Sequence, residues 1–90
     1  MAEESKHREP QVTLLTRQGC HLCEAARQTV HRVTSELGLG FHEVDVDEHP
    51  DLKARHDTEI PVVMVNGEPK DFWQINPKRL HKILAKELGL

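Results

Sequence analysis

Apolar residues recur along this chain with two different periods, and the switches between them mark out its elements. Val12 to Thr16, within Gln11-Val12-Thr13-Leu14-Leu15-Thr16, is short, β-branched and almost continuously apolar, the pattern of a strand covered on both faces. Arg17-Gln18-Gly19 interrupts that run. Leu22, Ala26, Thr29, Val30, Val33 and Leu37 then follow at helical spacing, which predicts an amphipathic helix stopped by Gly38. From Phe41 to Val46 the period shortens to two, with His42, Val44 and Val46 on one face and Phe41, Glu43 and Asp45 on the other. A strand exposed on one side, at a sheet edge, fits this alternation, with His42 partly buried on its inner face.

The second half of the chain is punctuated by proline and glycine. Pro50 suits the first turn of a short helix running to about His56, with Asp47 or Glu48 near its positive end and Asp57-Thr58 closing it. Ile60-Pro61-Val62-Val63-Met64-Val65 reads as a second buried strand, and Asn66-Gly67 is a strong hairpin signal. The return strand, around Glu68 to Phe72, carries Pro69 and Lys70, both typical of a protected edge. Asn76 caps a last helix that begins at Pro77, presents Leu80, Ile83, Leu84 and Leu88 as its apolar stripe, and ends at Gly89. Phe72 and Trp73 are expected to pack under that helix, because large aromatics contribute chiefly by burial, with an exposed aromatic contact for a protein partner as the alternative.

The resulting order is βαβαββα. A strand-helix-strand opening implies a right-handed parallel crossover, and the hairpin adds an antiparallel pair, so the expected fold is α/β, a mixed four-stranded sheet flanked by three helices. There is no internal repeat.

Composition narrows the function more than the fold. Ninety residues suit one compact domain, expected at 11–90 behind a polar, flexible tail at 1–10. With a net charge of -3, a pI near 6.1 and one Trp, the chain lacks the basic surface and stacking aromatics of a nucleic-acid binder. No run approaches the ~20 apolar residues of a membrane span, so a soluble, cytoplasmic monomer is expected.

Both cysteines of the chain lie in Cys20-His21-Leu22-Cys23, at the strand-to-helix junction. Positions i and i+3 of a helix's first turn share a face, within reach of disulfide geometry. The unpaired N–H groups and positive dipole end of that turn favour a thiolate, the attacking species in thiol exchange. A thiolate at the very start of the helix meets several free donors, whereas one deeper meets N–H groups already committed to the ladder. Arg17, three residues ahead of Cys20, and the neighbouring His21 are candidates to tune that thiolate. In a reducing cytosol two close cysteines point to catalysis or metal binding rather than to a structural bridge. Zinc or an iron–sulfur cluster held through the same cysteines is one alternative, although no second C-x-x-C or H-x₃₋₅-H pair is present to complete an intrachain site. A noncatalytic interaction module is another.

The combination of Cys20-His21-Leu22-Cys23 after a strand with Ile60-Pro61 opening the third strand resembles the glutaredoxin branch of the thioredoxin superfamily, over roughly residues 11 to 88, and in particular its small bacterial glutaredoxin-like proteins. The resemblance implies a thioredoxin-like fold and thiol-disulfide oxidoreductase activity. It makes Cys20 the nucleophile and Cys23 the resolving cysteine, makes Pro61 cis, and assigns substrate backbone contacts to Ile60. Implied partners are a disulfide-bearing protein or small thiol and an upstream reductase. No obligatory cofactor and no metal are expected, with glutathione a candidate reductant. The chain departs from common family patterns at Asp71-Phe72-Trp73-Gln74-Ile75-Asn76-Pro77, which lacks a glycine pair.

Overall fold

The computed structural model describes residues 9–90. Of the tail expected at 1–10, residues 1–8 lie outside the described residues, and Pro10 is buried. Four strands and three α-helices follow: β1 (Val12–Thr16), α1 (His21–Glu36), β2 (His42–Asp45), α2 (Pro50–His56), β3 (Val62–Val65), β4 (Glu68–Phe72) and α3 (Pro77–Glu87). A 3₁₀ turn at Val46–Glu48 joins β2 to α2, so the predicted strand through Val46 stops one residue early. The Asp45 carboxylate accepts from the Asp47 amide at 2.9 Å and turns the chain there.

The sheet order is β2-β1-β3-β4. β1 runs parallel to β2, as a crossover through α1 requires, and antiparallel to β3, which pairs antiparallel with β4. The near-continuous apolar runs form the two central strands and the alternating and proline-bearing segments form the edges. This is the mixed, helix-flanked sheet of a thioredoxin-like α/β fold. Asn66 and Gly67 both take positive φ, 54° and 83°, the type I′ geometry whose twist matches that of the flanking strands. Asn66 also ties the hairpin to the start of β1, its side-chain oxygen accepting from the Gln11 amide at 2.9 Å.

Alternation along β1 and β3 divides the core in two. Val12, Leu14, Val63 and Val65 pack with Ala26, Val30 and Val33 of α1 and Leu80 and Leu84 of α3. Leu15 and Val62 pack with Cys23, Val46 and Ile60, with Leu52, Met64 and Phe72 partly buried around them. The cysteine pair thus rests on the second, smaller apolar cluster. Three side chains depart from the expected pattern. Leu22, placed on the apolar stripe of α1, is 41% exposed, because the next residue, Cys23, takes the inward position of the first turn against Leu15 and Val62. His42 is exposed at the start of the edge strand β2, opposite the half-buried Thr13. Trp73, expected under α3, is 54% exposed. None of the described helices is long and apolar enough to cross a membrane.

Candidate active site

The chain leaves β1 at Thr16, turns through Gly19 at φ 77°, and enters α1 with Cys20 as the N-cap residue in an extended conformation. The Cys20 Sγ accepts from the Cys23 amide at 3.1 Å, so the sulfur holds the place that a hydroxyl or carboxylate oxygen holds in an ordinary cap. The two cysteines are paired as a disulfide, with Cα atoms 5.2 Å apart. Their environments differ sharply. Cys20 is half-buried at the surface, whereas Cys23 is 1% exposed against Leu15, Val46, Ile60 and Val62.

Three connections converge on the pair: the β1–α1 loop, the α2–β3 loop and the β4–α3 turn. Their cross-links are polar and long-range. Arg17 donates to Asp57 at 2.6 Å, joining the first loop to the second. In the β4–α3 turn, the Trp73 amide donates to the Pro61 carbonyl at 2.8 Å and the indole N–H donates to the Thr58 carbonyl at 3.0 Å. The Asp71 carboxylate, buried, accepts from the Phe72 amide at 3.0 Å and the Asn76 amide at 2.9 Å. Trp73 itself takes φ 60°, a region where a side chain crowds the backbone and where only a well-anchored bulky residue persists.

Of the residues singled out from sequence, Cys20, Cys23 and Ile60 meet in one apolar cluster. The Ile60–Pro61 peptide bond is cis, and Pro61 is buried at the entrance to β3. His21 is exposed beside Cys20. Arg17 and His21 both border a shallow concavity of about 370 Å³ next to Cys20, together with Gln18, Glu24 and Arg27. The Arg17 guanidinium is engaged by Asp57, so its charge is shared with a carboxylate. On the far side of Arg27, its guanidinium grips Glu43 through two hydrogen bonds of 2.6 Å, and the buried Thr16 donates its hydroxyl to the same carboxylate at 3.0 Å. Those Arg27 hydrogen bonds hold the Glu43 carboxyl below its ordinary range and raise the guanidinium above its own, against the opposing pull of desolvation.

Among the described residues no group of three or more His, Cys, Asp or Glu side chains is placed to hold a metal ion. Neither the Arg17–Asp57 pair nor the Trp73 anchors carry a local sequence signal. A cap or a hairpin is written in adjacent residues, whereas these contacts join residues 12 to 40 positions apart.

Known proteins share both the sequence and the shape. An uncharacterized protein of Mycobacterium tuberculosis is 34% identical over 82 residues, covering 86% of this chain and 84% of that protein, and an uncharacterized protein of Mycobacterium bovis matches equally. An X-ray structure of a structural-genomics target protein from X. campestris superimposes with a TM-score of 0.69 at 25% identity, covering 83% of this chain and 96% of that one. Chloroplastic thioredoxin z superimposes with a TM-score of 0.74 at 14% identity, covering 99% of this chain and 88% of its own, a likeness of fold. The glutaredoxin-like domain family (DUF836) matches residues 11–85, and with the cysteine pair seated at the N-terminus of α1 the chain belongs to that glutaredoxin-like family.

Proposed function

We propose that this protein is a thiol-disulfide oxidoreductase that works by dithiol exchange through Cys20 and Cys23. The observation that carries this reading is the asymmetry of the pair: one sulfur at the surface on a helix N-cap, the other buried one turn further in. In the reduced protein the Cys20 thiolate attacks one sulfur of a substrate disulfide. The substrate S–S bond breaks, a mixed disulfide forms on Cys20, and one substrate thiolate leaves and takes up a proton. The Cys23 thiolate then attacks the Cys20 sulfur, which releases the second substrate thiol and leaves the Cys20–Cys23 disulfide. Two electrons pass to the substrate, and a dithiol reductase or two equivalents of a small thiol such as glutathione must return them. The N-cap site favours negative charge on the Cys20 sulfur, while the apolar surroundings of Cys23 keep its sulfur from solvent until the mixed disulfide is in place.

His21 and Arg17 are assigned a modest tuning role from their position around Cys20, and Ile60 and Pro61 a place along the bound substrate. The deciding experiment compares Cys20→Ser and Cys23→Ser proteins, each reduced and then mixed with a peptide disulfide. Serine is itself a good N-cap, so Cys20→Ser keeps the helix start while removing the nucleophile. Cys23→Ser accumulates a mixed disulfide that mass spectrometry locates on Cys20, and Cys20→Ser accumulates none. Equal trapping by both variants, or by neither, would sink the assignment.

A further inference from the structure

Trp73 is not required by the exchange chemistry, yet it stands at the convergence of the three loops, 54% exposed. Its orientation is over-determined. The Trp73 amide is held by Pro61, the indole N–H by Thr58, and the turn on either side by the buried Asp71 carboxylate. Phe72, tilted against it with ring centroids 6.3 Å apart, packs on the same apolar cluster as Cys20, Cys23 and Ile60. Together these anchors keep in place a large apolar side chain at positive φ, a conformation that glycine would adopt without crowding. With its N–H already donated, the ring offers a bound molecule only its face and carbon edge. The amides of residues 72, 73, 76 and 79 are likewise spent on Asp71, Pro61 and Asn76. Leu22, 41% exposed beside Cys20, adds a second apolar contact within the C-x-x-C segment itself.

We propose that Trp73 determines substrate specificity: it receives an apolar or aromatic side chain flanking the disulfide-bonded cysteine of an extended peptide, and so selects polypeptide disulfides over small anionic ones. The proposal rests on the exchange reading above. Its chemistry is that of aromatic packing, whose increment corresponds to about three- to tenfold in rate at limiting substrate.

The test is the second-order rate at which reduced protein is oxidised by two disulfide-linked peptide dimers, matched except for phenylalanine or glycine beside the cysteine. Wild-type protein reacts faster with the phenylalanine peptide. In Trp73→Gly, where the new residue tolerates the positive φ, the ratio of the two rates falls about three- to tenfold towards unity, and Trp73→Phe restores most of it. An unchanged ratio in Trp73→Gly, or no preference in the wild type, overturns the role of Trp73 while leaving exchange at Cys20 standing. No reaction of the wild type with either peptide overturns the exchange reading, and this proposal with it. Because Trp73 is the single Trp of the chain, its fluorescence supplies a measurement without mutating it. In Cys23→Ser protein trapped with each peptide, the phenylalanine adduct shifts the emission to the blue of the glycine adduct. Identical spectra also overturn the proposal.

Discussion

At the scale of single residues, the electrostatics near the site lie in the Thr16–Arg27–Glu43 contact. Glu43 sits on edge strand β2, and its forked pairing with Arg27 ties that strand to α1 one turn beyond Cys23. The two side chains remain 45% and 32% exposed, so screening limits the pair to about 0–1 kcal/mol. The folded carboxyl titrates below its unfolded value, so its contribution is present above the ordinary carboxylate value of about 4.3 and is lost as pH falls through the lower, folded one. Glu43→Gln should therefore be destabilised by no more than about 1 kcal/mol at pH 7, with the gap to wild type closing in acid. Denaturant midpoints at pH 7 and pH 3 check this, and a gap that widened in acid would contradict it. The sequence could not announce this contact, because Arg27 and Glu43 lie 16 residues apart and each reads on its own as a solvated charge. Trp73 is the converse case. Its size argues for burial, and only the anchoring of its backbone at positive φ leaves it outside.

Elements were far more legible, because capping and turn chemistry is local. Asn76 and Pro77 were expected to open the last helix, and Asn76 does cap it, its side-chain oxygen accepting from the Arg79 amide at 3.0 Å. Removing that acceptor in Asn76→Ala should lower stability by about 1 kcal/mol, measured as a shift in the denaturant midpoint at constant slope. A change under a few tenths would show that neighbouring contacts, such as the Asp71 carboxylate on the Asn76 amide, hold the helix start unaided. At α1 the same logic reaches the chemistry. The residue that would normally be a serine or aspartate cap is Cys20, so the element's own start positions the reactive sulfur. The boundaries that shifted, at Val46 and at Ile60-Pro61 ahead of β3, lie at element ends, where local signals compete with packing.

Over the whole molecule, two apolar clusters on the sheet divide the labour: the larger one carries α1 and α3, and the smaller one seats the cysteines. Leu84, fully buried in the larger cluster, tests this division. Leu84→Ala should cost about 2–5 kcal/mol, a large part of the margin of a domain this size, while protein that remains folded still forms the Cys20–Cys23 disulfide. Thermal unfolding and thiol titration of the variant check both halves, and a loss below about 1 kcal/mol would remove α3 from the core. Hydrophobic period, proline and glycine placement, and the spacing of two cysteines determined the order of elements, the central and edge strands, and the location of the reactive pair, because each is encoded within a few adjacent residues. The tertiary structure alone decided that Arg17 meets Asp57 and that Trp73 stands beside the cis-Pro61 loop, 54% exposed. Those outcomes depend on where distant loops meet once the sheet has formed, and local sequence patterns do not specify that meeting.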